Sequence, residues 1–216
     1  RKNKLKLFIM KKQLCITALA IFGILTSNAQ DSGDYELGVG LGLNLANVST
    51  IDGQNNASSR TSFNAGVSGE YYFSDRWGLK AKLTYDSKGW SDGFVEDLES
   101  NNKVTTDFKL NYITLPIMAN WHFGSNRNWY LNFGPYVGFL VNAEDSKLGL
   151  DLKDTFKSTD FGLAFGIGYK FEIDDNIKLY IEYDEQSGLS DIFEENSGDV
   201  IKNGRGSFNI GALFSL

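Results

Sequence analysis

Residues 35–46 read YELGVGLGLNLA, an alternation that sets the fold class of the whole chain. Large apolar side chains fill its odd positions, whereas small or polar residues fill the even ones. A period of two over this length predicts a β-strand with one apolar face. Ordinary strands run about five or six residues, whereas a tilted strand that crosses a bilayer needs about nine to eleven. The stretch therefore predicts a transmembrane β-strand, provided that the chain repeats it.

The alternation recurs seven more times along the chain. Tight turns at 74–76, 124–128 and 174–176 alternate with longer polar connections, which include 89–107, 142–158 and 186–204. An even number of antiparallel strands, with long loops at one end and tight turns at the other, is the pattern of outer-membrane barrels. After 35–46, the predicted strands are 61–73, 77–88, 112–123, 129–141, 161–171, 177–184 and 207–216.

We therefore predict an all-β fold, an eight-stranded antiparallel up-and-down transmembrane β-barrel with long extracellular loops and short periplasmic turns. A soluble eight-stranded barrel of the lipocalin type is the alternative, and it would turn the apolar face inward. The interior of eight strands is only just wide enough for side chains to fill. Because the apolar face carries many large side chains and the opposite face is rich in glycine, we expect the apolar face to contact lipid.

Residues 1–29 have the features of a secretory signal peptide. The first twelve residues carry six basic side chains and no acidic one, an apolar run covers 14–25, and Ser27 and Ala29 are small enough for cleavage after Ala29. We assign residues 30–216 to the barrel domain. Because Met10 begins a more ordinary start, the alternative that residues 1–9 are a gene-call artefact stays open.

The charge and cysteine content exclude several classes of function. All 27 acidic residues lie beyond residue 30, so the mature chain carries a net charge near −12, which argues against a nucleic-acid partner. The single cysteine, Cys15, lies in the signal segment, so we expect no disulfide in the mature chain. One histidine without cysteine cannot form a typical zinc site. We therefore expect no metal and no cofactor.

The inward face is predicted to carry a balanced set of charges. The tight turns place Glu70 opposite Lys80 and Glu172 opposite Lys178, which predicts cross-strand ion pairs. We therefore expect a plugged, charge-balanced lumen. The predicted lumen ion network consists of Glu36, Glu70, Asp86, Glu182 and Asp184 with Lys80, Lys82, Lys88, Lys170 and Lys178.

Aromatic residues gather at the short-turn ends of the strands, as they do at a membrane interface. A smaller group at the opposite ends comprises Tyr85, Phe139, Phe161 and Tyr183. The predicted aromatic girdle at the short turns consists of Tyr35, Phe73, Trp77, Trp121, Phe123, Trp129, Phe171 and Phe214.

Two local irregularities are expected in the sheet. Pairing Phe123 with Trp129 sets Pro116 opposite Tyr136 and Pro135 opposite Ile117, and proline in a closed sheet predicts irregular pairing there. Near the start of the fourth strand, residues 108 and 110 are apolar and out of phase with the strand that follows. This change of phase predicts a β-bulge at that point.

Two strand segments carry a resemblance to a known family. They are 112–117, YITLPI, and 133–138, FGPYVG. With them, the mature chain resembles the outer membrane protein beta-barrel family of Bacteroidota, which includes PorT-like proteins and is similar in architecture to the OmpA and OmpX barrels. The resemblance implies a multi-pass location in the cell outer membrane, insertion by the barrel-assembly machinery, and contact with outer-membrane lipids and lipopolysaccharide.

Sequence motifs give little support to catalysis. The glycines at 38, 40 and 42 are not followed by a helix that binds phosphate, so they do not form a dinucleotide site. His122 lies near the short turns, and the sequence places neither a serine nor an acidic residue beside it. We expect no enzymatic activity. Acidic residues crowd the long loops, and the alternatives there are a solvated rim and a divalent-cation site, although no spacing matches a defined calcium loop.

Three functional hypotheses remain from the sequence. The first is a structural or surface-interaction protein, a monomer whose outer loops meet a surface or envelope partner. The second is a narrow porin-like passive channel for small solutes, which requires a hydrated lumen. The third is an accessory component of a secretion or gliding machinery, which only the PorT-like resemblance suggests.

Overall fold

The computed structural model describes residues 33–49, 57–97 and 102–216, so the predicted signal peptide lies outside the described residues. Eight strands form a closed barrel in which each strand is antiparallel to its neighbours in chain order and β8 pairs with β1. The predicted all-β fold of eight antiparallel up-and-down strands is therefore confirmed. The strands are β1 (Tyr35–Val48), β2 (Ser58–Ser74), β3 (Trp77–Asp97), β4 (Asn102–Phe123), β5 (Trp129–Asp145), β6 (Thr159–Glu172), β7 (Ile177–Gly188) and β8 (Asn203–Ser215).

The two faces of the barrel wall follow the alternation of the sequence. In β1, the side chains of Leu41 and Leu43 are 61% and 65% exposed on the outside, whereas Gly42 and Asn44 are buried inside. The same division continues around the barrel, so large apolar side chains cover the outer wall and polar ones fill the interior. This orientation is opposite to that of a lipocalin-type barrel, whose apolar residues face inward.

The hairpin formed by β3 and β4 extends well beyond the predicted strands. The prediction of a loop over 89–107 is wrong, because Trp90 pairs with Phe108 and Val95 pairs with Val104. A register shift separates Trp90 from Gly93, and Asp92 between them has a left-handed φ of 59°. Beyond the barrel wall, the β3–β4 hairpin does not need an apolar face. The backbone hydrogen bonds between its two strands maintain it after the alternation has ended.

The predicted bulge in the fourth strand is also misplaced. The inward face of β4 keeps its phase, and Phe108 and Leu110 are buried on the same side as Tyr112. The shift lies in β5, where Tyr112 pairs with Leu140 and Asn111 pairs with Asn142, leaving one extra residue between them. The change in sequence pattern reflects an apolar filling of the barrel mouth rather than a bulge in β4.

The irregular pairing expected at the prolines is confirmed. Pro116 lies opposite Tyr136, and the β4–β5 ladder resumes only at Ala119 opposite Phe133, without a change of register. Proline donates no backbone hydrogen bond, so the ladder is interrupted at that point. At Gly134 the two backbones approach so closely that an added Cβ would overlap the carbonyl oxygen of Ile117.

Two of the described connections are ordered by local structure. The β6–β7 turn is capped by Asp174, whose carboxylate accepts hydrogen bonds from the N–H groups of Asn176 and Ile177 at 2.9 and 2.8 Å. At the other end, a short 3-10 helix, Lys153–Thr155, lies in the β5–β6 connection. Within the described ranges, no helix is long and apolar enough to cross a membrane.

Candidate functional site in the barrel lumen

The inward side chains form a densely charged interior. The structure buries nine of the ten residues of the predicted ion network inside the barrel, and the tenth, Lys82, keeps only 13% of its side chain exposed. Asp160 and Arg205 are two further buried charges there, so that six carboxylates meet six cationic side chains. The twelve are Glu36, Glu70, Asp86, Asp160, Glu182, Asp184, Lys80, Lys82, Lys88, Lys170, Lys178 and Arg205.

Glu36 is the centre of the layer nearest the short turns. Lys170 from β6 and Lys178 from β7 both donate to its carboxylate, the second at 3.1 Å. The hydroxyl of Tyr72 also donates to it, at 3.2 Å. Three strands are thus joined to β1 through one carboxylate. The predicted partner of Lys178, Glu172, lies opposite it in register but is exposed at the short-turn end of the barrel.

Glu70 accepts bonds from two residues of β4. The Nε2 atom of His122 lies 2.7 Å from Oε1 of Glu70, and the amide of Asn120 donates to the same oxygen at 2.8 Å. The prediction that no acidic residue lies beside His122 is therefore wrong. Glu70 and His122 are on strands that are not neighbours, so their contact across the lumen could not be derived from hairpin register.

The middle layer joins β3 to β7 across the lumen. Lys80 lies opposite Glu70 as the turn predicts, but its ammonium group donates to Glu182 at 3.3 Å instead. Lys82 is paired with Glu182 and, at 3.0 Å, with Asp184. A lysine stem is long enough to cross a narrow barrel, so the register of adjacent strands does not fix its partner.

Arg205 spans the next layer toward the mouth. Its guanidinium donates to Asp86 of β3 at 3.1 Å and also to Asp184 of β7. The amide of Asn44 donates to Asp86 at 2.9 Å. The sequence interpretation left Arg205 between the predicted loop 186–204 and the predicted strand 207–216 and missed it, although the polar alternation of β8 continues upstream through Arg205 to Asn203 and could have revealed it.

Asp160 closes the polar part of the lumen. Lys88 of β3 donates to its carboxylate at 3.0 Å, as do the hydroxyl of Tyr136 at 3.1 Å and the amide of Asn203 at 3.1 Å. Ser190, in the β7–β8 connection, donates to the other oxygen at 3.1 Å. This carboxylate therefore connects the ion network to the β7–β8 connection.

An apolar plug covers this layer at the barrel mouth. Within the plug, the indole ring of Trp90 stacks on the phenyl ring of Phe108, with ring centroids 4.4 Å apart. Two connections fold over the mouth and add Phe156, Ile192 and Ile201 to the cluster. The cluster closes the end of the lumen where the long loops lie. The plug consists of Trp90, Phe108, Leu110, Tyr112, Leu140, Ala143, Phe156, Ile192 and Ile201.

A closed, outwardly apolar barrel with a polar interior agrees with what sequence comparison finds. The family model described as outer membrane protein beta-barrel domain matches residues 28–194. The chain belongs to this family. Membership places the barrel in the outer membrane. Among curated proteins, none is a significant match to this outer-membrane barrel in sequence.

Several solved structures are similar to this outer-membrane barrel. OprG from Pseudomonas aeruginosa is 15% identical, with 87% of this chain and 97% of that chain covered and a TM-score of 0.49. Neisserial surface protein A is 19% identical over 83% and 96% of the two chains, with a TM-score of 0.47. Ail of Yersinia pestis is 18% identical over 86% and 99%, with a TM-score of 0.42.

The outer wall of the barrel carries a chain of aromatic rings near the short turns. Trp121 stacks on Trp77 and on Phe123, with centroids 6.3 and 5.1 Å apart, and Phe123 stacks on Trp129 at 6.2 Å. The other members of the predicted girdle lie on the same outward face at this end of the barrel: Tyr35, Phe73, Phe171 and Phe214.

Beyond the barrel wall, Asp145 organises the start of the β5–β6 connection. The N–H groups of Leu148 and Leu150 donate to its carboxylate at 2.7 and 2.8 Å, and the hydroxyl of Thr106 donates at 3.2 Å. Burial acts to raise the pKa of Asp145, but these hydrogen bonds outweigh it and hold the pKa below its ordinary value. The carboxylate is thus a structural ligand of backbone amides.

The acidic loops hold no assembled metal site in the part of the chain that the structure describes. No group of three or more His, Cys, Asp or Glu residues is arranged there to hold a metal ion. Residues 98–101, which belong to the first of the acidic loops, lie outside the described residues.

Proposed function

We propose that this outer-membrane barrel has a sealed lumen and acts as a structural and surface-interaction protein. The observation that carries the proposal is the double closure of the interior. Ion pairs cross the lumen from the layer of Glu36 to the layer of Asp160, and the apolar plug covers the mouth above them.

The polar layers oppose the alternative of a narrow porin-like channel. A solute or ion that passes the middle layer must separate Lys80 and Lys82 from Glu182, whose side chain has no exposed surface. Removing one partner of a buried ion pair leaves an uncompensated charge at a cost of about 3–5 kcal/mol. Several such pairs lie in series, so passive flow through the closed lumen is strongly disfavoured.

The extracellular connections supply a surface for partners. Large apolar side chains are exposed on them, with Leu148 and Leu189 at 50% and 51% and Val200 at 51%. Contiguous exposed apolar patches with a polar rim mark interaction sites, and we propose that these side chains contribute to such a patch. We propose a surface or envelope protein as the partner of these loops, lipopolysaccharide and outer-membrane lipids as neighbours of the wall, and no nucleic-acid partner.

The biogenesis we propose is export by a signal peptide, residues 1–29, which is cleaved, followed by insertion of a monomer by the barrel-assembly machinery. An accessory role in a secretion or gliding machinery rests on the PorT-like resemblance of the sequence alone. The absence of enzymatic activity also stays a prediction.

Conductance separates the sealed barrel from the channel. The full barrel is reconstituted into a planar lipid bilayer, with a general porin purified in the same detergent as the positive control. We expect no current steps above the noise of the lipid bilayer alone. Discrete, reproducible steps that scale with salt concentration would contradict the sealed lumen.

A second experiment tests the interaction surface. A photo-crosslinking residue replaces Leu150, which is 43% exposed on a loop, or Leu43, which is 65% exposed on the outer wall, as the matched control. We expect the loop position to form adducts with protein. We expect the wall position to form adducts with lipid and none with protein. An identical adduct pattern at both positions would contradict a specific role for the loops.

A further inference from the structure

A small cavity interrupts the packed interior near the middle of the barrel. Its volume is about 30 Å³, and its lining includes the charged side chains of Lys82, Asp184 and Arg205. A cavity needs about 10–15 Å³ of such volume to hold one water molecule. The cavity therefore has room for water and is far too small for an organic solute, whose pockets measure about 300–1,000 Å³.

Three residues of the lining each carry a buried polar atom that has no hydrogen-bond partner within the protein. The atoms are Oε1 of Gln186, Nε of Arg205 and Nδ2 of Asn209. Each residue is at most 6% exposed, so bulk solvent does not satisfy these atoms. Gln186 lies directly opposite Arg205 in the β7–β8 ladder, and Asn209 follows on the same inward face of β8. Leaving such groups unpaired in a buried site is unfavourable.

The chemistry of the three atoms defines the guest. Arg205 and Asn209 present N–H donors, whereas Gln186 presents a carbonyl acceptor. A guest that fits must accept two hydrogen bonds and donate at least one, which a water molecule does and a monatomic ion does not.

The charges around the cavity lead to the same guest. Lys82 and Arg205 are neutralised by Glu182, Asp184 and Asp86, and the third cation of this region, Lys80, completes an equal number of positive and negative groups. An added anion or cation would leave a net charge in the buried lumen, which is unfavourable.

We propose that the middle of the lumen is a binding site for a single structural water molecule, held by Gln186, Arg205 and Asn209. The water completes the donors of the guanidinium that crosses the lumen from Asp86 to Asp184. This water helps to close the lumen, because it satisfies polar atoms that would otherwise favour the entry of further water molecules. The site depends on the packing of the lumen and not on the role of the loops.

The test begins with the unmodified full barrel. A crystal structure that resolves ordered solvent, from crystals soaked in sodium bromide, should show one solvent peak within hydrogen-bond distance of the three atoms and no anomalous signal there. An empty cavity would overturn the proposal. A bromide peak at this position would overturn it in favour of an anion site.

Nuclear magnetic resonance in lipid nanodiscs gives an independent measurement. We expect a cross-peak between water and the Nε–H proton of Arg205 in the unmodified protein, and its complete loss in Asn209→Leu, whose side chain fills the cavity. The matched control is Asn47→Leu, which changes an exposed asparagine of β1 and should leave the cross-peak intact. Persistence of the cross-peak in Asn209→Leu would contradict the assignment of the site.

Discussion

The ammonium group of Lys88 lies 3.0 Å from the carboxylate of Asp160, and only 1% of each side chain is exposed. The pair joins β3 to β6 across the lumen. Because Asp160 also accepts hydrogen bonds from Tyr136, Asn203 and Ser190, this one carboxylate connects the barrel wall, the lumen and the β7–β8 connection. The apolar plug begins immediately above it, with Tyr112, whose ring lies 5.3 Å from the same ammonium group.

Replacing Asp160 by Asn should destabilise the barrel strongly, because it leaves the charge of Lys88 buried without a counter-charge. We expect the free energy of unfolding to fall by about 3–5 kcal/mol, measured by urea unfolding in lipid vesicles. The control is Glu144→Gln, which removes an ion pair with Lys109 whose side chains are 40% and 35% exposed and should cost less than about 1 kcal/mol. Equal losses in the two variants would contradict this role of Asp160.

Removing the indole of Trp90 should weaken the plug without opening the barrel. Trp90→Ala deletes a ring that stacks on Phe108 and contacts Phe156, so we expect a loss of about 3–5 kcal/mol in the free energy of unfolding. Bilayer conductance should stay at the noise level, because the ion pairs below the plug remain. Current steps in this variant would show that the plug alone closes the lumen.

Two glycines of β2 should respond differently to the same substitution. A Cβ at Gly66, on the inward face, would overlap the carbonyl oxygen of Leu83 and the Cα of Thr84, whereas at Gly69, on the outer wall, the nearest atom is 3.7 Å away on Leu37. We expect Gly66→Ala to cost about 1–3 kcal/mol and Gly69→Ala to be neutral or slightly stabilising. Thermal unfolding in detergent measures both, and the reverse order would contradict the close packing of the lumen.

The β5–β6 connection should depend on pH through Asp145. Because its pKa is held below the ordinary value, the carboxylate contributes stability that is complete above the unfolded pKa of about 4 and is lost as the pH falls through the folded pKa. The amide proton shifts of Leu148 and Leu150 should titrate with a midpoint below that of an unperturbed aspartate, and Asp145→Asn should abolish the titration. A midpoint at or above that of an unperturbed aspartate would contradict the assignment.

The four tryptophans should divide into two groups when the barrel is placed in brominated lipid. In single-tryptophan variants, Trp77, Trp121 and Trp129 should be quenched, because their rings lie on the outer wall. Trp90 should not be quenched, since it is 1% exposed within the plug. Quenching of Trp90 alone, or of none, would contradict the proposed placement of the wall in lipid.

The backbone of the barrel could be derived from the sequence almost completely. Tight turns fix which residue faces which, so the register at Glu70 and Lys80 and at Pro116 and Tyr136 followed from counting. The strand ends were less accessible. Beyond Lys88 the alternation ends, but the hairpin continues to Asp97, because hydrogen bonding between two strands does not need an apolar face.

The contacts inside the lumen were much less predictable. Periodicity placed His122 and Glu70 on the inward face, but it could not show that they touch across the lumen. Arg205 and Asp160 escaped notice because they lie where the strands of the barrel merge with polar connections. Because the sequence around these two residues is typical of a loop, two of the twelve charged residues that fill the interior were not predicted.

The sequence by itself determined that the chain forms an eight-stranded barrel with an apolar exterior, since alternation with a period of two and the spacing of turns depend only on neighbouring residues. The tertiary structure alone decided which charges pair, where the plug forms and which polar atoms line the central cavity. Long lysine and arginine side chains reach across a narrow lumen to strands far away in the chain. Their partners are therefore set by the closure and stagger of the barrel, which no local pattern records.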